Sequence, residues 1–182
     1  SGESRADCVT RAPESFIPQM VSFLNKGTVG DGSPAPELRK CFTKPAEACR
    51  NDGTDNENDD LVMFEEDIFE AASGRTYVVQ DMLGQGTFGQ VAKCWCQETG
   101  EHVAVKVIKN QVAYYHQARM EIEVLRILNS RCDPEDKHHI VRLHDCFVHK
   151  KHLCLVFEML SINLYELVKH NQFRGFSMNL LR

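Results

Sequence analysis

Three glycines at fixed spacing, followed by a lysine on an apolar strand, constrain this chain more than any other feature. Residues 83–91 have the sequence Leu-Gly-Gln-Gly-Thr-Phe-Gly-Gln-Val, and residues 103–106 are Val-Ala-Val-Lys. A Gly-x-Gly-x-x-Gly pattern alone also fits dinucleotide-binding turns. Here a valine stands two positions after the last glycine and a lysine stands 17 positions after it. This narrower combination predicts a glycine-rich β-hairpin over a phosphate-binding cleft, with Lys106 on the following strand.

The residue types in the hairpin fit contact with phosphate. Without Cβ atoms, Gly84, Gly86 and Gly89 let the backbone amides approach anionic oxygens. Phe88, at the tip, is expected to shield a γ-phosphate from water. The alternative for this segment taken by itself is an ordinary tight hairpin.

Lys106 favours the phosphate-binding alternative. Its apolar neighbours in residues 103–107 predict a buried strand, where an unpaired ammonium is costly. Two anionic partners are available: the α- and β-phosphates of ATP, and the carboxylate of Glu121 on the helix that follows. Glu123 points about 200° away around that helix. We therefore predict Lys106 and Glu121 as the catalytic pair, with a purely structural ion pair as the alternative.

Hydrophobic periodicity predicts an α+β fold. Five strands are expected at Tyr77–Leu83, Gln90–Cys96, His102–Ile108, Ile140–Phe147 and His152–Glu158. A helix is predicted over Val112–Leu128, with Met120, Val124 and Leu128 on one face. A short helix is predicted at Leu164–His170 and another from Ser177, while Leu61–Phe64 is a candidate strand that docks on the sheet.

The apolar run at residues 155–160 is a candidate adenine pocket and hinge. Adenine needs a flat apolar slot with backbone donors and acceptors at one edge, which a strand running into an extended linker provides. Leu83, Val91 and Ala104 would form the upper wall, and the small Ala104 leaves room for the ring. The alternative is that this run is only a core strand.

Composition excludes several classes of protein. The net charge of −5 argues against a general nucleic-acid binder, and acidic residues outnumber basic ones by 15 to 8 in residues 1–75. No run approaches the roughly 18 apolar residues of a membrane helix. We expect a soluble, intracellular protein that does not bind a membrane. Ser1 at the start predicts that the true amino terminus is missing or processed.

Eight cysteines and eight histidines raise the question of a metal site. No Cys-x-x-Cys pair is present, and Cys94-Trp95-Cys96 has strand spacing that puts both thiols on one sheet face. No helical His-x-x-x-His pair exists either. We predict reduced, packed cysteines and no metal site, with the histidines between residues 138 and 152 in loops or on the sheet surface.

Residues 76–182 resemble the amino-terminal lobe of a eukaryotic protein kinase of the DYRK family (dual-specificity tyrosine-phosphorylation-regulated kinases). The resemblance rests on Val105–Asn110, His152–Leu160 and Asn163–Leu167. The segments Thr43–Glu47, Asn51–Leu61, Gly84–Cys94 and Asn171–Gly175 are similar to the Yak branch of that family. Residues 43–64 would by themselves be a solvated acidic linker; the resemblance instead implies that they pack on the lobe.

The resemblance implies a fold and further binding residues. The expected fold is a kinase-like lobe with a five-stranded antiparallel sheet, a helix equivalent to αC, the hinge and the start of the second lobe. Phe157 would be the gatekeeper, Glu158 and Leu160 would contact adenine through the backbone, and Asn163 would lie near the ribose. The implied division is a loose segment at 1–42, an acidic extension at 43–75, the lobe with its hinge at 76–160, and the start of the second lobe at 161–182.

The implied activity is transfer of the γ-phosphoryl group of Mg-ATP to hydroxyls of protein substrates, in the cytoplasm or nucleus. No catalytic-loop aspartate or Asp-Phe-Gly motif occurs in these residues, so the Mg²⁺ ligands are expected beyond residue 182. Residues 1–182 alone are expected to be inactive. Three interpretations remain: part of a complete kinase, a short non-catalytic binding module, or a degenerate pseudokinase. The last is disfavoured because the three glycines, Lys106 and Glu121 are intact.

Overall fold

A single antiparallel sheet organises the computed structural model, which describes residues 39–179. Its strands are β1 (Ile68–Glu70), β2 (Thr76–Gly86), β3 (Gly89–Cys96), β4 (Glu101–Ile108), β5 (Leu143–His149) and β6 (His152–Glu158). They lie in the order β1-β2-β3-β4-β6-β5. Helix α1 spans Val112–Ile127, ends in a π-helical turn at Leu128–Cys132, and connects β4 to β5. Helix α2 (Leu164–His170) follows the last strand.

Alternation along the strands gives the sheet two different faces. On β3, for example, every second residue from Gln90 to Cys96 is buried, and the residues between them are partly exposed. Because successive side chains point to opposite faces, the buried set defines one face, here called the outer face. The partly exposed set, which includes Val91, defines the inner face.

The outer face is covered by residues 39–64, here called the extension. Phe42, Leu61 and Met63 pack in one hydrophobic cluster with outer-face residues such as Cys94 and Val105. Met63 is completely buried, and burial of an apolar side chain of this size contributes about 1.5–3 kcal/mol. The extension is therefore an integral layer of the fold, as the family resemblance implies.

Helix α1 covers part of the inner face. Ala118 and Ile122 form a second cluster with Ile108, Leu153 and Leu155. The prediction that Met120 and Val124 mark the inward side of the helix is wrong. Met120 is 71 % exposed and Val124 is 55 % exposed. The spacing i, i+4, i+8 occurs on more than one side of this helix, and the buried side is the one that carries Ala118, Ile122 and Leu125.

Other elements agree with the sequence within a few residues. The sheet has six strands, one more than predicted. The additional strand, β1, is only three residues long and pairs with β2, with Ile68 opposite Val78. The fourth predicted strand begins at Leu143, three residues later than predicted. Residues 61–64 do not form the candidate strand: Leu61 and Phe64 make only isolated bridges, to Asp55 and Cys41.

The predicted end segments lie largely outside the described residues. The loose segment at 1–42 is described only from residue 39, where Cys41 bridges to Phe64 and Phe42 is buried. These last residues therefore belong to the packed extension. The helix predicted from Ser177 falls mostly outside the described part, in which Met178 and Asn179 form a turn.

Candidate functional site

A row of four residues crosses the inner face beneath the glycine-rich hairpin. Gly84 on β2 is paired with Val91 on β3, Val91 with Lys106 on β4, and Lys106 with Leu155 on β6. Cross-strand partners share a face of the sheet. The sheet register therefore places a glycine, an apolar side chain and a cation side by side on one surface.

Lys106 and Glu121 are in contact, as the sequence predicts. The Lys106 ammonium donates to both carboxylate oxygens of Glu121, each at 2.8 Å. The Lys106 side chain remains 26 % exposed and that of Glu121 35 % exposed. If both side chains were fully buried, each charge would contact only the other, and no ligand could reach Lys106. This pair keeps an open side, from which Lys106 can reach a further anion.

The hairpin and Lys106 enclose a cleft of about 270 Å³. It is lined by residues 84–89, Val91 and Lys106. A Cβ atom added at Gly84 or Gly86 would meet nothing within 4 Å, so the space next to the backbone of these glycines is open. The Phe88 ring packs edge-on against Tyr114 of α1, with ring centroids 5.5 Å apart. The tip of the hairpin thus reaches helix α1, which carries Glu121.

Gly89 has a different role from the other two glycines. Its φ is +145°, and a Cβ atom would lie 2.1 Å from the carbonyl oxygen of Val107. The pattern therefore combines two requirements: open backbone at residues 84 and 86, and close strand packing at residue 89.

The remaining predicted binding residues border the cleft's floor or follow it. Ala104 and Phe157 are direct cross-strand partners, adjacent to the row that contains Lys106. Leu83 is half exposed and Leu160 is 62 % exposed, and neither lines the cleft. Their proposed contacts with adenine remain predictions.

Glu158 and Asn163 already have partners. The Glu158 carboxylate accepts from the Arg142 amide at 2.8 Å, which fixes the start of β5 against the end of β6. The Glu158 amide also donates to the Arg142 carbonyl oxygen, at 3.1 Å. The hinge contact predicted for the Glu158 backbone remains a prediction. The Asn163 side chain accepts from the Glu166 amide at 2.8 Å and so caps α2. Its predicted place near the ribose remains a prediction.

Local sequence patterns did not reveal the buried polar residues that join the extension to the lobe. His152 was expected in a loop or on the sheet surface, but it is completely buried. Its Nε2 lies 2.9 Å from a carboxylate oxygen of Asp55. Burial raises the pKa of Asp55, but hydrogen bonds from His152, Asn51 and Asn110 outweigh this effect and hold the pKa below its ordinary value. The continuous apolar run at residues 153–157, directly after His152, is the local signal of its burial.

The cysteines of the described residues are free thiols. Cys94 and Cys96 are both buried on the outer face, as the strand spacing predicts. Burial raises the pKa of the Cys94 thiol well above its usual range. Between residues 39 and 179, no group of three or more His, Cys, Asp or Glu side chains is arranged to hold a metal ion. In the same residues no helix has the length and apolar character needed to cross a bilayer.

Comparison with known protein families decides the identity of this lobe. The model of the protein kinase domain matches residues 77–180. The chain belongs to the protein kinase family. The match begins at the second strand of the sheet and includes the glycine-rich hairpin, Lys106, Glu121 and α2. It does not include the extension.

Similar kinases extend the likeness upstream. The serine/threonine-protein kinase ppk15 of Schizosaccharomyces pombe is 54 % identical over 79 % of this chain and 27 % of its own length. The dual specificity protein kinase YAK1 homolog of Arabidopsis thaliana is 54 % identical over 79 % of this chain and 15 % of its own length. The dual specificity protein kinase YAK1 of Saccharomyces cerevisiae is 49 % identical over 79 % of this chain and 18 % of its own length. These relatives confirm the resemblance to the Yak branch. This chain spans about a quarter of their length or less.

Proposed function

We propose that this chain is the ATP-binding lobe of a serine/threonine protein kinase with dual specificity. The observation that carries the proposal is the Lys106–Glu121 ion pair at the open cleft under the glycine-rich hairpin. Related proteins are named as serine/threonine and dual specificity kinases. The proposed reaction is transfer of the γ-phosphoryl group of ATP to hydroxyl groups of protein substrates.

The residues present fit a bound triphosphate. Lys106 supplies a positive charge that is partly exposed at the cleft, and Glu121 fixes its position from the side of α1. Backbone amides of the hairpin supply further donors, and nothing stands next to the positions where Gly84 and Gly86 lack a side chain. An anion held by several preorganised donors is positioned and charge-stabilised before reaction, which is the main contribution of a kinase to phosphoryl transfer.

Adenine is assigned to the adjoining part of the inner face. Val91 belongs to the row that contains Lys106, and Ala104 and Phe157 form the neighbouring cross-strand pair. They form an apolar surface, beside which the backbone of Glu158 to Leu160 leaves the sheet. Mg²⁺ supplies charge neutralisation of the phosphates when bound, and its ligands belong, by family resemblance, to residues beyond 182.

The proposal is tested on the full-length kinase that contains this lobe. Purified protein is incubated with radiolabelled ATP, Mg²⁺ and a generic protein substrate such as myelin basic protein or casein, and phosphate incorporation into substrate and kinase is measured. We expect phosphorylation of serine, threonine and the kinase's own tyrosine, and its loss in Lys106→Ala. An active Lys106→Ala variant would overturn the assignment.

The alternative function is that of a non-catalytic binding module. The polypeptide 1–182 lacks the base aspartate, and one positioned acid–base group is typically worth about 10²–10⁴-fold in rate. We therefore expect no phosphotransfer from this polypeptide alone. A robust signal from purified 1–182 that Lys106→Ala abolishes would contradict this expectation.

A further inference from the structure

Gln85, the residue between the first two glycines, is bound to the extension. Its Oε1 accepts from the backbone amide of Lys44 at 3.2 Å, and its Nε2 donates to the Lys44 carbonyl oxygen at 2.7 Å. The same Nε2 donates to a carboxylate oxygen of Asp60 at 3.0 Å. A carboxamide has two N–H donors and an acceptor oxygen. Gln85 uses each of them on residues that lie 25 to 41 positions earlier in the chain.

The opposite arm of the hairpin is held from the same side. Gln90 is the cross-strand partner of Gln85, and it is completely buried. Its Nε2 donates to the Leu61 carbonyl oxygen at 2.8 Å, and its Oε1 accepts from the Thr43 hydroxyl at 2.7 Å. Both arms therefore direct a glutamine to the outer face, where the extension lies, while the glycines stay on the side of the cleft.

On the β2 side, no further strand of the described residues pairs with this end of the hairpin. β1 pairs with β2 only at residues 76–78, and the pairing of β2 with β3 is irregular between Val79 and Gly84. The outer edge of β2 is thus without a strand neighbour at Gly84–Gly86. There the hydrogen bonds between Gln85 and the Lys44 backbone take the place of those that a neighbouring strand would make.

Asp60 connects this contact to the helix that carries Glu121. One oxygen of Asp60 accepts from Gln85 and also lies 3.4 Å from the ammonium of Lys109. Lys109 stands between β4 and α1, and its amide donates to the carbonyl of Phe88 at 3.1 Å. Asp60 therefore contacts both the roof of the cleft and the segment leading into α1, to which Asp55 and Asp59 of the extension also bond.

We propose that Gln85 is a positioning residue for nucleotide binding, which sets the height of the glycine-rich hairpin over the cleft by anchoring it to Lys44 and Asp60. Gln85 does not contact phosphate through its side chain, because that side chain lies on the opposite face of the hairpin. Without this anchor the hairpin must be ordered when ATP binds, and the ordering lowers affinity. This inference rests on the proposed kinase function.

The test compares Gln85→Ala with Gln80→Ala in the full-length kinase. Gln80 is an exposed glutamine on the same strand whose side chain contacts His102 and not the extension. If the anchoring contributes the free energy of one net hydrogen bond, its loss predicts a KM for ATP that is about 5-fold higher in Gln85→Ala. We expect kcat to stay within about 2-fold, since Lys106 and Glu121 are untouched. Gln80→Ala should match the unmodified enzyme.

Hydrogen exchange without nucleotide gives a readout that is independent of activity. Amides of residues 84–89 should exchange about 5-fold faster in Gln85→Ala, while amides of β4 keep their protection. In Gln85→Glu the carboxylate cannot donate and lies against Asp60, so exchange of the same amides should be at least as fast as in Gln85→Ala. Equal KM and equal exchange in Gln85→Ala and Gln80→Ala would overturn the inference.

The two proposals fail in different ways. A full-length protein without phosphotransfer in its unmodified form contradicts the kinase function, and the exchange of residues 84–89 still decides whether Gln85 anchors the hairpin. An active enzyme with no change in Gln85→Ala leaves the kinase function intact and removes the role of Gln85.

Discussion

Asp55 and His152 form a hydrogen bond of 2.9 Å across 97 positions of sequence, and both side chains are almost completely buried. The second ring nitrogen of His152 lies 2.8 Å from the Ile108 carbonyl oxygen. The ring therefore bridges a backbone carbonyl of β4 and the Asp55 carboxylate. Asn110 donates to the other Asp55 oxygen at 3.1 Å. The extension is thereby joined to the end of β4 and the start of β6.

Removal of one member of this pair is expected to destabilise the whole lobe. His152→Ala leaves the Asp55 carboxylate buried without its principal donor, which costs about 3–5 kcal/mol for a buried pair. His144 is an exposed histidine on β5, and His144→Ala should change the free energy of unfolding by less than about 0.5 kcal/mol. Urea unfolding of the two variants measures both values. Equal stabilities would show that the buried pair does not hold the extension.

Substitution by alanine should have different effects on stability at two glycines of the hairpin. In Gly89→Ala the new Cβ meets the Val107 carbonyl oxygen, a backbone atom, at 2.1 Å. Strands β3 and β4 must then separate, and we expect a loss of at least about 2 kcal/mol in unfolding free energy. Gly86→Ala places its Cβ in open space and should leave stability within about 1 kcal/mol while weakening ATP binding. Thermal unfolding and nucleotide titration separate the two effects, and a Gly89→Ala variant as stable as Gly86→Ala would contradict this geometry.

The sequence predicted the parts of this fold that depend on local patterns. Strands β2, β3, β4 and β6, the helix after Lys106 and the partner Glu121 follow from alternation, helical spacing and the cost of a buried ammonium. The strand Ile68–Glu70 was missed, because three residues carry no measurable period. The inward face of α1 was misassigned, because Ala118 is too small to stand out beside Met120.

Contacts between distant segments account for most of what the sequence could not show. Asp55 and Asp60 lie in an acidic run that by itself predicts a solvated linker. Their burial depends on His152 and Lys109, which are far away in the sequence and carry no signal of the pairing. Family resemblance corrected the linker interpretation for the segment as a whole, but only the structure identified which carboxylates are buried and which side chains bond to them.

Stability should fall as the pH is lowered from 6.5 towards 4 because of His149. Its ring packs edge-on against Phe69, with centroids 4.9 Å apart. Desolvation, together with the charges of Lys150 and His152, lowers the pKa of His149 from 6.5 to about 4. Between these values the unfolded chain binds a proton that the folded chain does not. Unfolding free energy therefore decreases with falling pH by up to about 1.4 kcal/mol per pH unit.

His149→Phe isolates this contribution. Phenylalanine keeps an aromatic ring beside Phe69 but does not titrate, so the slope of stability against pH between 6.5 and 4 should be smaller than in the unmodified chain. Denaturant unfolding at several pH values gives the two slopes. Identical slopes would place the pH dependence in other groups.

The catalytic contribution of the Lys106–Glu121 pair should depend on which helix carboxylate is changed. Glu121→Gln keeps the shape of the side chain but removes the charge that holds the Lys106 ammonium at 2.8 Å. We expect kcat/KM of the full-length kinase to fall about 10-fold in Glu121→Gln and about 10²–10³-fold in Lys106→Ala, where the donor to phosphate itself is lost. Glu123 forms an exposed pair with Arg126 on another side of the helix, so Glu123→Gln should retain full activity. If Glu121→Gln and Glu123→Gln had the same kcat/KM, the ion pair would be structural and Lys106 would bind phosphate without its help.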